Sequence, residues 1–191
     1  MTFQLARKFK FPTLLDVRAE RMKRKLSEFV KEAWLIIEPS TPLDWNWHIE
    51  AICDHVQALL EGRLAKNNLG ICVPPGSMKS TIVSVCAPAW WWLHQPSWRG
   101  LFACGSDTFA IRDSMKCRDL LTSDWYQNTF QPTWRFAKDQ NAKGSYKNSA
   151  TGFRTATTVK TKITGARPTD MFVDDPLDAT EAYSKAARDV V

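Results

Sequence analysis

The sequence predicts an α/β fold, a mostly parallel sheet flanked by helices, and three observations carry that prediction. Two strand-like runs, LGICV at residues 69–73 and GLFACG at 100–105, each lead into a stretch with helical character. A third strand-like run, TDMFVDDP at 169–176, returns after a polar, hairpin-like region. The 191 residues, 44% of them apolar, suffice for one substantial core and leave little room for two large domains. Strands separated by helices pair in parallel, because the crossover needs a connection of helical length.

Residues 14–38 read as one amphipathic helix, with Leu15, Ala19, Met22, Leu26, Phe29, Ala33 and Ile36 near helical spacing and Pro39 ending it. Its basic cluster of Arg21, Lys23, Arg24 and Lys25 reads as a solvated face, with DNA contact as the functional alternative. Turn residues 39–46 separate it from a second helix, WHIEAICDHVQALLEGRLAKN. LGICV then stops at Pro74 and Pro75, and KSTIVSVCAPAWWWL resumes helix, with Pro88 placed to bend or divide it. Trp90, Trp91 and Trp92 point around that helix and are expected in the core.

Residues 107–121 form the next expected helix. Segments 134–137, 145–147 and 152–157 are short strand candidates broken by turn formers, as in hairpins or edge strands. TDMFVDDP is expected as a buried strand beside LGICV at the centre of the sheet, and residues 178–191 as a closing helix.

Composition narrows the function classes. No apolar run approaches the roughly 18 residues that cross a bilayer, and the amino-terminal stretch is interrupted by charge, so the expectation is an intracellular chain without a secretory leader. The net charge of +6 is compatible with a nucleic-acid partner and equally with none. Cys53, Cys72, Cys86, Cys104 and Cys117 are scattered without a CxxC pair, which favours buried free thiols over zinc.

The strongest chemical signal is VPPGSMKST between a strand and a helix. Binding phosphate takes main-chain amides curled toward anionic oxygens, a lysine that reaches the outer phosphates and a hydroxyl for magnesium. Lys79 and Ser80 supply the last two, and Pro75, Gly76, Ser77, Met78, Lys79, Ser80 and Thr81 form the candidate nucleotide cradle. The regular GxxxxGK[ST] pattern fails at both glycines, where Val73 and Met78 stand. A turn opening an ordinary helix is the competing reading.

Far downstream, an apolar strand ends in Asp174 and Asp175. In that position Asp174 fits a magnesium ligand and Asp175 the group that orients or deprotonates an attacking water; adjacent acids also cap ordinary helices. Together, loop and acids favour nucleoside triphosphate hydrolysis on a P-loop NTPase-like sheet.

Several ordered blocks add a family resemblance: NWHIEAICDHVQAL, VPPGSMKSTIVSVCAPAWWWL, FACGSDTFAIRDSMKCRDLLTSDWYQ, KDQNAKG and GFRTATTVKTKITGARPTDMFVDDP. Over roughly residues 40–191 the chain resembles the N-terminal ATPase region of the tailed-bacteriophage terminase large subunit, the motor that packages viral DNA. Pro74, Pro75, Lys79 and Ser80 match that family's phosphate loop, while Gly76 stands where arginine is common and Met78 where glycine is expected. Trp47, His48 and Ile49 match a block that helps enclose the base, Thr164 and Gly165 the turn before the hydrolytic strand, and Asp174 and Asp175 the DDP version of that strand's end.

The resemblance implies an N-terminal helical extension over residues 1–45 and a P-loop ATPase domain over 46–191 that stops before the family's C-terminal nuclease. It implies ATP and Mg2+ as cofactors, and as partners double-stranded DNA, the portal protein, the small terminase subunit and further copies of the chain in a ring. The setting it implies is the host cytoplasm and, transiently, the procapsid portal. Arg167, seven residues before Asp174, is the preferred arginine finger acting in trans, with Arg112 and Arg154 as alternatives. Two other functions stay open: another DNA-remodelling ATPase, and a degenerate P-loop domain with a structural DNA- or portal-binding role. His48 and His55 lack a third ligand and read as packing or hydrogen-bonding residues.

Overall fold

A computed structural model describes residues 11–161 and 165–176, and the side chains of all these except residues 138–141. The expected closing helix and Thr164 lie outside the described residues. In chain order the elements are helices α1 (Leu14–Arg24), α2 (Leu26–Ile37) and α3 (Trp47–Leu60), a π-helical turn (Thr81–Cys86), and α4 (Ala87–Trp91). Strand β1 (Arg99–Cys104), helices α5 (Asp107–Thr122) and α6 (Asp124–Phe130), then β2 (Phe136–Asn141), β3 (Ser145–Asn148), β4 (Phe153–Thr158) and β5 (Asp170–Asp174) complete it.

The expected single helix over 14–38 is two. Thr13 opens α1 with a reciprocal capping box to Asp16, and the chain breaks at Lys25, which is extended (φ −134°, ψ 120°). A break strands a backbone donor and acceptor, and Gln57 of α3 satisfies both: its Oε1 accepts from Leu26 N at 2.9 Å and its Nε2 donates to Arg24 O at 3.0 Å. Glu50, also on α3, accepts from Lys25, Ser27 and Trp45. The basic cluster on α1 is largely spoken for, since Arg21 pairs with Glu28, Arg24 with Glu20 and Lys25 with Glu50.

The sheet has the order β2-β3-β4-β1-β5 and is mixed, not mostly parallel. β1 runs parallel to β4 and β5, whereas β3 is antiparallel to both β2 and β4. The hairpin-like segments therefore form one antiparallel half, as their turn residues favour. LGICV at 69–73 is not a strand: it runs without ladder pairing, and β5 is bonded to β1 alone among the described residues. β5 is consequently an edge strand, with Phe172 buried but Met171 and Val173 60% and 52% exposed, rather than the buried central strand its apolar run suggests.

The face carrying Phe102, Phe172 and Tyr146 packs into one core with the helices. Trp90 and Trp92 are buried there, their indole N–H groups donating to Met22 O and Trp98 O, while Trp91 is only half-buried. Cys53, Cys86 and Cys117 are buried free thiols, Cys104 is half-buried and Cys72 is exposed. No helix among the described residues is long and apolar enough to cross a membrane.

Candidate functional site

The site forms where residues 74–81 meet the C-terminal ends of β1 and β5. Two prolines stop the extended segment, and Ser77 Oγ folds back to donate to Pro74 O at 2.5 Å. The loop then turns through positive φ at Gly76 (83°) and at Met78 (61°). Met78 thus adopts the left-handed backbone that glycine supplies without strain, at a cost of about 1–2 kcal/mol. Its side chain packs against the core. Helix resumes at Lys79, where the first N–H groups have no carbonyl one turn earlier to bond. All seven residues of the predicted cradle, 75–81, line a cavity of about 490 Å³, and Asp175 lines it too.

Lys79 joins the two halves of the site across 96 residues of sequence. Its Nζ lies 3.0 Å from Asp174 Oδ1 and 2.6 Å from Asp175 Oδ1. Partial burial works against its charge, but the hydrogen bonds to Asp175 and Asp174 outweigh burial and raise its pKa above the ordinary lysine value. Asp174 is largely shielded, whereas the Asp175 side chain is 71% exposed. Asp175 also has positive φ (42°), and its carbonyl accepts from Gly105 N at 2.9 Å.

Gly105 is a site residue that the sequence reading missed. A Cβ there would stand 2.7 Å from Asp175 O and 3.0 Å from Pro176 O, so only glycine lets the end of β1 lie against the backbone of the acid pair. The available signal was a glycine immediately after an apolar strand, in FACGS.

The other candidates scatter. Arg167 is exposed beside the start of β5, the end tied to Arg99 through Thr169 and to Trp98 through Asp170, and thus at the opposite end of the strand from Asp174. Arg112 is nearer: it lies on α5 behind β1, bonded to Asp113 at 2.7 Å. Arg154 is 1% exposed, which removes it as a finger reaching into a neighbouring subunit. Of the Trp47–Ile49 block, Trp47 is 78% exposed at the start of α3 and stacks edge-on to His48, while Ile49 is core. His55 Nδ1 lies 2.7 Å from Ala51 O, a side-chain contact to the carbonyl one turn earlier on its own helix.

A second cavity of about 700 Å³ opens beside Lys79 and Asp174, between residues 67–71 and the free edge of β5. Leu69, Ile71, Val83, Trp91 and Phe172 line it together with polar Asn67, Asn68, Gln95 and Asp170.

No family model, curated protein or solved structure matches the chain.

The chemistry of the site therefore rests on its own geometry. Ser77, Ser80, Thr81 and Asp175 line the loop cavity and Asp174 lies beside it on Lys79, a hard-oxygen set that suits magnesium carried in with phosphate, while Lys79 supplies positive charge. Among the described residues no three His, Cys, Asp or Glu side chains converge as an all-protein metal cage.

Proposed function

We propose that this chain is the ATP-hydrolysing motor domain of a viral DNA-packaging terminase large subunit, built on a P-loop NTPase-like sheet. The observation that carries the reading is Lys79, which leaves the loop cavity to meet Asp174 and Asp175 at the end of β5. Two segments far apart in sequence thereby bring a cation, hydroxyl residues and Asp175 to one cavity, with Asp174 alongside on Lys79.

In this reading Lys79 lies against the outer phosphate oxygens, and residues 76–81 wrap the phosphates with main-chain N–H groups. Bound magnesium supplies charge neutralisation at the phosphates, and Ser80 and Asp174 are the residues that would hold it. Asp175 orients or takes a proton from the attacking water, and its exposure lets it do so at the mouth of the site. Incoming phosphate must replace the carboxylates as partner of Lys79, so nucleotide binding frees both acids for their own roles. Arg167 is exposed and able to serve a neighbouring copy in a ring around double-stranded DNA, with the portal protein and the small subunit as further partners.

A second reading, nucleotide binding without turnover, draws on the same ion pairs: both acids already neutralise Lys79. Titration with a fluorescent ATP analogue and measurement of phosphate release, each with Mg2+, separate the two. Turnover that Lys79→Ala lowers by about a hundredfold or more is the expected result. Binding without release supports the second reading, and binding unaffected by Lys79→Ala removes the site assignment.

A further inference from the structure

Arg154, on β4, is among the largest fully buried side chains, yet it forms no salt bridge among the described residues. Its Nη2 donates to Ser84 O at 2.9 Å, its guanidinium carbon lies 4.3 Å from the centre of the Phe102 ring, and Nε and Nη1 have no hydrogen-bond partner. Burying a cation without a carboxylate partner is costly, so its bond to Ser84 O invites an explanation.

Ser84 lies within the π-helical turn Thr81–Cys86, which directly follows Lys79 and Ser80. In an α-helix its carbonyl would accept from the N–H four residues on, but that residue is Pro88, which has none. Arg154 donates to that carbonyl from the sheet. Just beyond, Ala87 N donates five residues back to Ile82 O, so the wide turn persists up to the proline.

Helical register decides direction. At 3.6 residues per turn, accommodating one extra residue rotates everything on its amino-terminal side by about 100° relative to the helix on its carboxy-terminal side. Whether this turn is π or α therefore governs where Lys79 and Ser80 point relative to β5.

We propose that Arg154 is a positioning residue for the phosphate loop: by holding the Ser84 carbonyl it fixes the π-helical register and aims Lys79 at the acids of β5. The proposal rests on the phosphate-loop reading for its functional consequence, though not for the bond itself. It also accounts for the buried charge, since a neutral apolar residue could not donate to the Ser84 carbonyl.

The test uses Arg154→Met, Arg154→Lys, Pro88→Ala and the Arg154→Met/Pro88→Ala double variant. Hydrogen exchange is followed at residues 82–87, and affinity for a fluorescent ATP analogue with Mg2+ is measured on the same proteins. Arg154→Met is expected to accelerate exchange in that turn and to weaken nucleotide binding about tenfold or more. Arg154→Lys, which keeps a donor on a long stem, should retain affinity within about threefold of the parent. The double variant regains an N–H four residues beyond Ser84 and should recover exchange protection.

Unchanged exchange in Arg154→Met overturns the proposal. So does equal damage in the single and double variants, because the loss then reflects packing rather than the Ser84 bond. Should the parent chain bind no nucleotide, the phosphate-loop reading fails, and the exchange measurements decide the Arg154 assignment on their own.

Discussion

The helical amino-terminal region and the loop-and-acid edge are built on opposite principles. Around the α1–α2 break, polar groups are matched: Gln57 bonds both stranded backbone groups, and Glu50 gathers Lys25, Ser27 and Trp45. At the edge, two non-glycine residues, Met78 and Asp175, sit at positive φ, the segment 69–73 lacks ladder partners among the described residues, and a lysine is shared by two acids. Matched polar groups hold one geometry, whereas strain and shared charge leave a region ready to exchange partners with a ligand. The contrast places the capacity for change in the stretch where the proposed chemistry lies.

Breaking the matched region should have the largest effect on stability. Gln57→Leu leaves Leu26 N and Arg24 O unpaired beside a fully buried residue and is expected to cost about 2–4 kcal/mol, read from the urea midpoint. Nucleotide affinity should fall less than stability, since the site is held by other elements. A comparable fall in affinity would show that the two regions are coupled.

Gly105→Ala strikes the other region. Its new Cβ meets backbone, which cannot swing aside, so Asp175 and Pro176 must shift, at about 1–3 kcal/mol. Because that shift moves Asp175 away from Lys79, phosphate release should drop by a larger factor than nucleotide binding, as separate assays on one preparation would report. Wild-type turnover in Gly105→Ala would detach Asp175 from the chemistry.

Much of this site was readable in the sequence, because a lysine and serine opening a helix and paired acids ending a strand are local patterns. Gly105 and Arg154 were not, since their roles depend on approaches from distant segments: a carbonyl after β5 and a carbonyl left open by Pro88. The mixed sheet was half legible. The polar turn residues marked the β2–β4 segments as hairpins, but an apolar run such as LGICV shows a preference for extended backbone without showing that a partner strand lies alongside. The same limit explains β5, whose apolar MFV run suggests burial on both faces while, among the described residues, one edge has no partner and one face is exposed. The break at Lys25 was invisible because helical periodicity continues across it and only Gln57, on another helix, makes it tolerable.

The smallest expected effect is on acid stability, and it sharpens the contrast from the helical side. Burial works against ionisation of Glu50, but hydrogen bonds from Lys25 and Ser27 and the nearby lysine charges outweigh it and hold its carboxyl below the ordinary glutamate value. Glu28 is lowered as well, chiefly by its hydrogen bond from Lys31. A carboxyl that binds its proton less readily when folded adds stability above the unfolded pKa and loses it as pH falls through the folded one. The urea midpoint should therefore decline between about pH 5 and pH 3, and Glu50→Gln should flatten part of that slope.

The distribution of thiols gives the chain an address for chemical labelling. Burial pushes Cys53 up to about 12 and lifts Cys86 and Cys117 as well, so these three offer almost no thiolate to a maleimide at neutral pH. Cys104 is half-buried and likewise raised by burial. Cys72 alone is exposed, two residues before Pro74 and the proposed phosphate loop. A fluorophore attached there would sit beside the strained turn without any engineered cysteine, and its emission would report whether added nucleotide displaces the carboxylates from Lys79, as the proposed function requires.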